Sequence, residues 1–294
     1  MILLPDNIPV AYTLRSEGMD VRFYGLRPDA TPSFHSRKVV YFLNLMPNKP
    51  ATELDIFRQL ALSGCDLTIV PVRIPGQTYK TTPQSYVEHF YADILPLMSL
   101  PAPQGLIVTG APLEQIPLTE VRYWKLLRTI MDWAQGEIPS TLYICWAAQA
   151  ALAHFFGIEA NLLPQKRFGI YPQTVLDTSS PLMAGLGREF PMPVSRHAQV
   201  KVEPGQSPWL SVLATNPESG LGIAATHPLR SVFVTGHLEY RRSTLDSEYR
   251  RDLSKSLPIN PPINYYEDDD ARLPIKFSWE KAATTFYSNW IKLL

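Results

Sequence analysis

The chain has 294 residues, with 27 basic and 27 acidic side chains and 45% apolar residues. A formally neutral chain lacks the basic surface that offsets phosphates, which argues against a general nucleic-acid binder. No window reaches the roughly 20 apolar residues needed to span a bilayer, so no membrane partner is expected. The start, Met1-Ile-Leu-Leu-Pro-Asp6, lacks the basic region of a signal peptide. Two cysteines, Cys65 and Cys145, are too few for a disulfide framework and indicate a reducing, cytoplasmic setting. No Cys or His cluster has ligand spacing, and His35 is isolated, so no metal is expected.

Residues 1–36 mix turn formers with short apolar runs and read as an N-terminal arm with one short helix. Val39-Val-Tyr-Phe-Leu-Asn-Leu45 is an apolar run of strand length. Met46-Pro-Asn-Lys-Pro50 breaks it, and Thr52 reads as the N-cap of a helix over 53–62 that Gly64 ends. Strand-like runs follow at Asp66–Val72, Gly105–Gly110 and Thr141–Cys145. Helical patterns fall at 86–98, 119–134 and 147–156. This alternation predicts parallel βαβ units with helices on both faces of the sheet. After Gly157 the pattern loosens into prolines and short strands. Ser231–Gly236 restores a buried strand. Residues 254–276 are proline-rich, with the acidic run Glu267-Asp-Asp-Asp270 read as a solvated loop, and a last helix spans about 279–293. One α/β domain over 37–294 is expected.

Reactive groups in such sheets gather at the carboxyl ends of strands. Three ends carry suitable residues: Thr109-Gly-Ala-Pro112, Ile144-Cys-Trp-Ala147 and Gly236-His-Leu-Glu239. A cysteine between a strand and an alanine-rich helix has the layout of a nucleophile elbow. The helix N-terminus would favour a thiolate and offer N–H groups to an oxyanion. On this segment alone, a buried core cysteine is an equal reading. Cys65, beside Gly64, reads as structural. His237 and Glu239, two apart in extended chain, would share a face and supply a base with its orienting carboxylate. Lys49 at the first strand's end could face the same site. Lys166-Arg167 could bind an anion, Ser195-Arg-His197 could bond a substrate, and Arg250-Arg251 could cover a helix surface.

These motifs occur in order: Leu43-Asn-Leu-Met-Pro-Asn-Lys49, Val108-Thr-Gly-Ala-Pro112, Tyr123-Trp124, Ile144-Cys-Trp-Ala-Ala-Gln-Ala150, Ser195-Arg-His197, Gly236-His-Leu-Glu-Tyr240 and Ser288-Asn-Trp290. Together, over about residues 37–290, the chain resembles the homoserine O-acyltransferase (homoserine transsuccinylase) family of methionine biosynthesis. The resemblance implies a mainly parallel α/β sheet flanked by helices, like class I glutamine amidotransferases (flavodoxin-like). It implies a Cys-His-Glu triad of Cys145, His237 and Glu239, and ping-pong transfer through an acyl-cysteine. Lys166, Ser195 and Arg251 match substrate-binding positions, and Lys49 a lysine near the active site. Glu114 falls where the family varies between glycine and glutamate. A carboxylate there would repel a succinyl carboxylate, so acetyl-CoA is the expected co-substrate, with no permanently bound cofactor. The resemblance also implies a homodimer acting on small molecules.

Three departures bear on the acceptor: Tyr143 and Ala147 around Cys145, Leu238 between His237 and Glu239, and Pro50-Ala51 after Lys49. Homoserine is the expected acceptor and serine the alternative, since one methylene is worth only about 1–3 kcal/mol in a pocket. A glutamine amidotransferase-type hydrolase is the rival class.

Overall fold

A computed structural model describes residues 1–25, 37–202 and 206–294. His35 lies outside them. In chain order the strands are β1 (Ile2–Pro5), β2 (Val21–Tyr24), β3 (Lys38–Leu43), β4 (Leu67–Arg73), β5 (Ala92–Asp93), β6 (Gly105–Val108), β7 (Ser140–Ile144), β8 (Ala160–Val175), β9 (Glu189–Val200), β10 (Leu210–Asn216), β11 (Gly220–Thr226) and β12 (Ser231–Val234). The helices are α1 (Pro9–Ser16), α2 (Lys49–Leu62), α3 (Gln84–Phe90), α4 (Ile94–Leu97), α5 (Trp124–Glu137), α6 (Trp146–Phe156), α7 (Thr244–Ser254) and α8 (Glu280–Leu293).

Among the described residues these strands form one sheet, ordered β2-β1-β4-β3-β6-β7-β12-β11-β10-β8-β9, with β5 beside β4. From β2 to β12 every pairing is parallel. From β12 to β9 every pairing is antiparallel. The sheet is therefore mainly parallel, as expected. Its central strands are apolar on both faces because both are covered. Val40, Phe42, Ile107, Leu142 and Ile144 join one core layer with α1, α2 and α8. Their alternates Tyr41, Leu43, Leu106, Val108 and Tyr143 join a second layer with α5 and α6.

The sequence reading differs from this fold in four places. Residues 1–25 are not an arm: β1 and β2 extend the sheet, with Ile2 paired to Leu67 and α1 returning between them. Their strands are four residues long, too short to show a period. Helix α2 begins at Lys49 rather than after Thr52. The Asn48 side chain accepts from the Ala51 N–H, and Pro50 sits in the first turn, where its missing N–H costs nothing. The 86–98 segment is broken, because Tyr91 is extended and Ala92 pairs with Val72 of β4. The loose region after Gly157 is a long antiparallel ribbon of β8 and β9. Cys65 is half-buried and packs against the first core layer. No described helix is long and apolar enough to cross a membrane.

Candidate active site

β7 and β12 are parallel neighbours in register, Ile144 opposite Val234. Their carboxyl ends therefore deliver Cys145 and His237 side by side. Cys145 occupies the N-cap of α6 with φ 52° and ψ −116°, a backbone region that costs a residue with a Cβ about 1–3 kcal/mol. The Cys145 N–H donates to the Val234 carbonyl at 2.7 Å, which ties the elbow to the neighbouring strand. On its other side β6 ends in Thr109-Gly110. A Cβ on Gly110 would lie 3.2 Å from the Cys145 Cβ and 3.4 Å from the Trp146 nitrogen. The missing side chain keeps the space before the first N–H of α6 open.

Cys145, His237 and Glu239 are all buried. His237 Nδ1 and Glu239 Oε1 are 2.7 Å apart. They meet through a tight turn, with the Tyr240 N–H donating to the His237 carbonyl, rather than by the extended geometry read from the sequence. Burial of His237 disfavours its charge. Cys145 and the hydrogen-bonded Glu239 overcome this and hold it well above the usual imidazole range. A charge-stabilised imidazole between a thiol and a carboxylate is the arrangement of a nucleophile, its base and the base's orienter.

Lys166 (β8), Ser195 (β9) and Arg251 (α7), far apart in sequence, converge on two acids of α7. Ser195 Oγ donates to Glu248 Oε2 at 2.5 Å, and Lys166 Nζ lies 3.5 Å from that oxygen and 3.4 Å from Asp252 Oδ2. Arg251 pairs with Asp252 at 2.7 Å while half its side chain stays exposed. Burial raises the Asp252 carboxyl, but Arg251 and Lys166 outweigh it and leave it below the usual range. Tyr240 joins this cluster to His237. Its hydroxyl donates to Glu248 at 2.8 Å, and its ring stacks on His237 at 4.1 Å.

Glu114 lies on the loop after β6. Its Oε2 accepts from the His197 N–H at 2.9 Å, and its Oε1 is buried without a protein partner. Burial raises its carboxyl, against the opposing pull of the His197 N–H and of charges on His197, His237 and Arg196. Lys49 is placed differently from the expectation. Its ammonium is enclosed, donating to the Asn44 carbonyl and lying 4.6 Å from the Tyr79 ring centre. The Thr109 hydroxyl, next to Gly110, donates in turn to Asn44 Oδ1 at 3.4 Å.

Sequence reasoning missed Glu248, Asp252 and Arg196. Arg196 was quoted within a motif but given no role of its own. It is fully buried and donates to the carbonyls of Thr235 and Ser219. Burial lowers its guanidinium, while negative charge at Cys145 and Glu114 opposes this. The alternation of buried and exposed residues along β9 places Arg196 inside, but only the fold says beneath which site.

Residues 1–294, the whole chain, match the family model described as homoserine O-succinyltransferase. The chain belongs to this family. Among similar proteins, a homoserine O-acetyltransferase of Phocaeicola vulgatus is 40% identical over 98% of this chain and 93% of its own. One of Brevibacillus brevis is 38% identical over 99% of this chain and 94% of its own. A glutamine amidotransferase of Methylobacillus flagellatus has a TM-score of 0.57 at 12% identity, covering 88% of this chain and 96% of its own. One of Thermotoga maritima scores 0.54 at 14% identity, covering 87% and 97%. These two show a shared fold alone. The homoserine O-succinyltransferase family membership makes the chain an O-acyltransferase, with the expected class I glutamine amidotransferase-like architecture.

Proposed function

We propose that this O-acyltransferase moves an acetyl group from acetyl-CoA to the side-chain hydroxyl of L-homoserine, through an acetyl-cysteine at Cys145, in methionine biosynthesis. The contact of Cys145 with His237, braced by Glu239 at 2.7 Å, carries this reading. The Cys145 thiolate attacks the thioester carbonyl carbon. The carbon–sulfur bond to CoA breaks, and the departing CoA thiolate takes the proton held on His237. The homoserine oxygen then attacks the acetyl carbonyl while its proton passes to His237, and Cys145 leaves as thiolate. One thioester is exchanged for another, so acylation is nearly balanced in energy. The Trp146 N–H, left open by Gly110, faces the developing oxyanion.

Lys166 and Arg251 present cations for the acceptor's carboxylate, and Glu248 presents a carboxylate for its ammonium. Glu114 favours acetyl over succinyl, because its buried, partner-poor oxygen would meet a second carboxylate. The similar homoserine O-acetyltransferases of Phocaeicola vulgatus and Brevibacillus brevis support the same donor and acceptor.

Intact-mass spectrometry tests the reading. Acetyl-CoA alone should add one acetyl mass to the protein, Cys145→Ala should abolish the adduct, and added homoserine should discharge it. No Cys145-dependent adduct would overturn the mechanism. A kcat/KM for serine above that for homoserine would move the enzyme to serine acetylation.

A further inference from the structure

One cavity, of about 520 Å³, lies among Pro139, Ser180, Thr226 and Arg230, at the starts of β7 and β12. It is at the end of the sheet opposite Cys145. A second cleft, of about 370 Å³, runs between the loop after β6, the helix α6 and the first residues of β8. That volume falls within the roughly 300–1,000 Å³ typical of small-molecule sites.

This second cleft is lined by Trp146 and by Glu114, whose carboxyl feels the charge of His237. Trp146 directly follows Cys145, and Gln149 lies one helical turn further, its N–H donating to the Cys145 carbonyl. Glu114 closes the inner end. Ala150 and Ala153 make a smooth wall along one face of α6. The mouth is flanked by two exposed apolar side chains, Ile116 (42%) and Leu162 (63%).

The lining has an informative chemistry. It contains no lysine or arginine, and its only ionisable groups are the acids Glu114 and Glu159. A phosphate or a free carboxylate is unwelcome there. An uncharged chain carrying amides and methylenes is not. The opposite character marks the Lys166–Glu248–Arg251 cluster, whose paired charges suit a zwitterion.

We propose that this cleft holds the pantetheine arm of the acyl-CoA donor. The thioester is delivered to Cys145 at the inner end, and the phosphorylated nucleotide stays outside, beyond Ile116 and Leu162. Donor and acceptor then reach Cys145 from different sides. The assignment rests on the reading of Cys145 as the residue that takes an acetyl group from CoA.

Ala153 is only partly buried, so Ala153→Trp should place its indole in the cleft rather than in the core. The KM for acetyl-CoA should rise at least tenfold. The KM for homoserine, and the rates of Cys145 acetylation by phenyl thioacetate and alkylation by iodoacetamide, should stay within twofold of wild type. These last two reagents carry no pantetheine, and their unchanged rates also certify an intact fold. An unchanged KM for acetyl-CoA, or equal loss with phenyl thioacetate, would overturn the assignment of the cleft while leaving the acetyl-cysteine mechanism standing. Failure of the wild-type protein to form any acetyl adduct would instead remove the mechanism on which it rests.

Discussion

At Cys145 the backbone adopts φ 52°, and at Lys49 an ammonium is enclosed by tyrosines. Both are locally unfavourable, and both lie at the carboxyl end of the parallel strands. The Cys145 elbow is held by its N–H bond to Val234 and by the buried helix that follows. The Lys49 enclosure has a consequence for stability. Burial pushes the ammonium down to about 8, with Glu53 opposing the change. Between about pH 8 and the unfolded value near 10.5, the unfolded chain binds a proton that the native chain lacks. Stability contributed by this residue must therefore rise with pH across that window, and below it the buried charge costs on the order of 3 kcal/mol. Lys49→Met should lose that rise. Melting temperatures of both proteins from pH 7.5 to 10.5 check this: the difference between them should narrow or change sign in favour of wild type as pH increases. A constant difference would mean that Lys49 keeps its proton throughout.

Among the elements, the β8–β9 ribbon and α7 decide what sits opposite Cys145. The ribbon has no clear strand signature because Pro164, Pro172, Pro191 and Pro193 lie within it, and proline donates no ladder hydrogen bond. Two of the four fall on β9, the edge of the sheet, where an absent donor matters least. The Ser243–Ser254 segment holds five charged residues and no long apolar run. Its helix shows only when Leu245 and Tyr249, one turn apart, are seen to be the buried pair. That orientation turns Glu248 and Asp252 toward Lys166 and Ser195. Glu248→Gln keeps the shape and removes the charge that Ser195, Tyr240 and Lys166 share. A charged hydrogen bond of about 1.5–3 kcal/mol corresponds to a KM for homoserine raised about 10- to 100-fold. Acetylation of Cys145 by acetyl-CoA should be unchanged. Steady-state kinetics and a single-turnover mass measurement separate the two half-reactions.

For the molecule as a whole, the C-terminal helix α8 closes the sheet at the end away from the site. Trp290 is fully buried, its indole N–H donates to Ser140 Oγ at 3.1 Å, and its ring fills the space left by Gly105. Trp290→Ala should lower the unfolding free energy by about 3–5 kcal/mol, read as a lower urea midpoint. The kcat per titratable Cys145 should stay at the wild-type value, because Ser140 and Gly105 begin the strands whose far ends lead to Cys145 and Gly110. A parallel fall in kcat would show that the packing of α8 reaches the triad.

The sequence by itself determined the parallel half of this protein. Apolar strand runs, alternating helices, Cys145 at a strand–helix junction and the His237-x-Glu239 spacing are all short-range features, set by periodicity and local turns. The order of matched motifs added the family. The tertiary structure alone decided the rest. It put residues 1–25 into the sheet through a pairing across more than 60 positions, Ile2 to Leu67. It brought Lys166, Ser195, Glu248 and Asp252 together through a ribbon and a helix more than 50 residues apart. It enclosed Lys49, buried Arg196, and formed the cleft beside α6 that lacks lysine and arginine. Strand order and crossovers create these neighbours, and neither leaves a period in the local sequence.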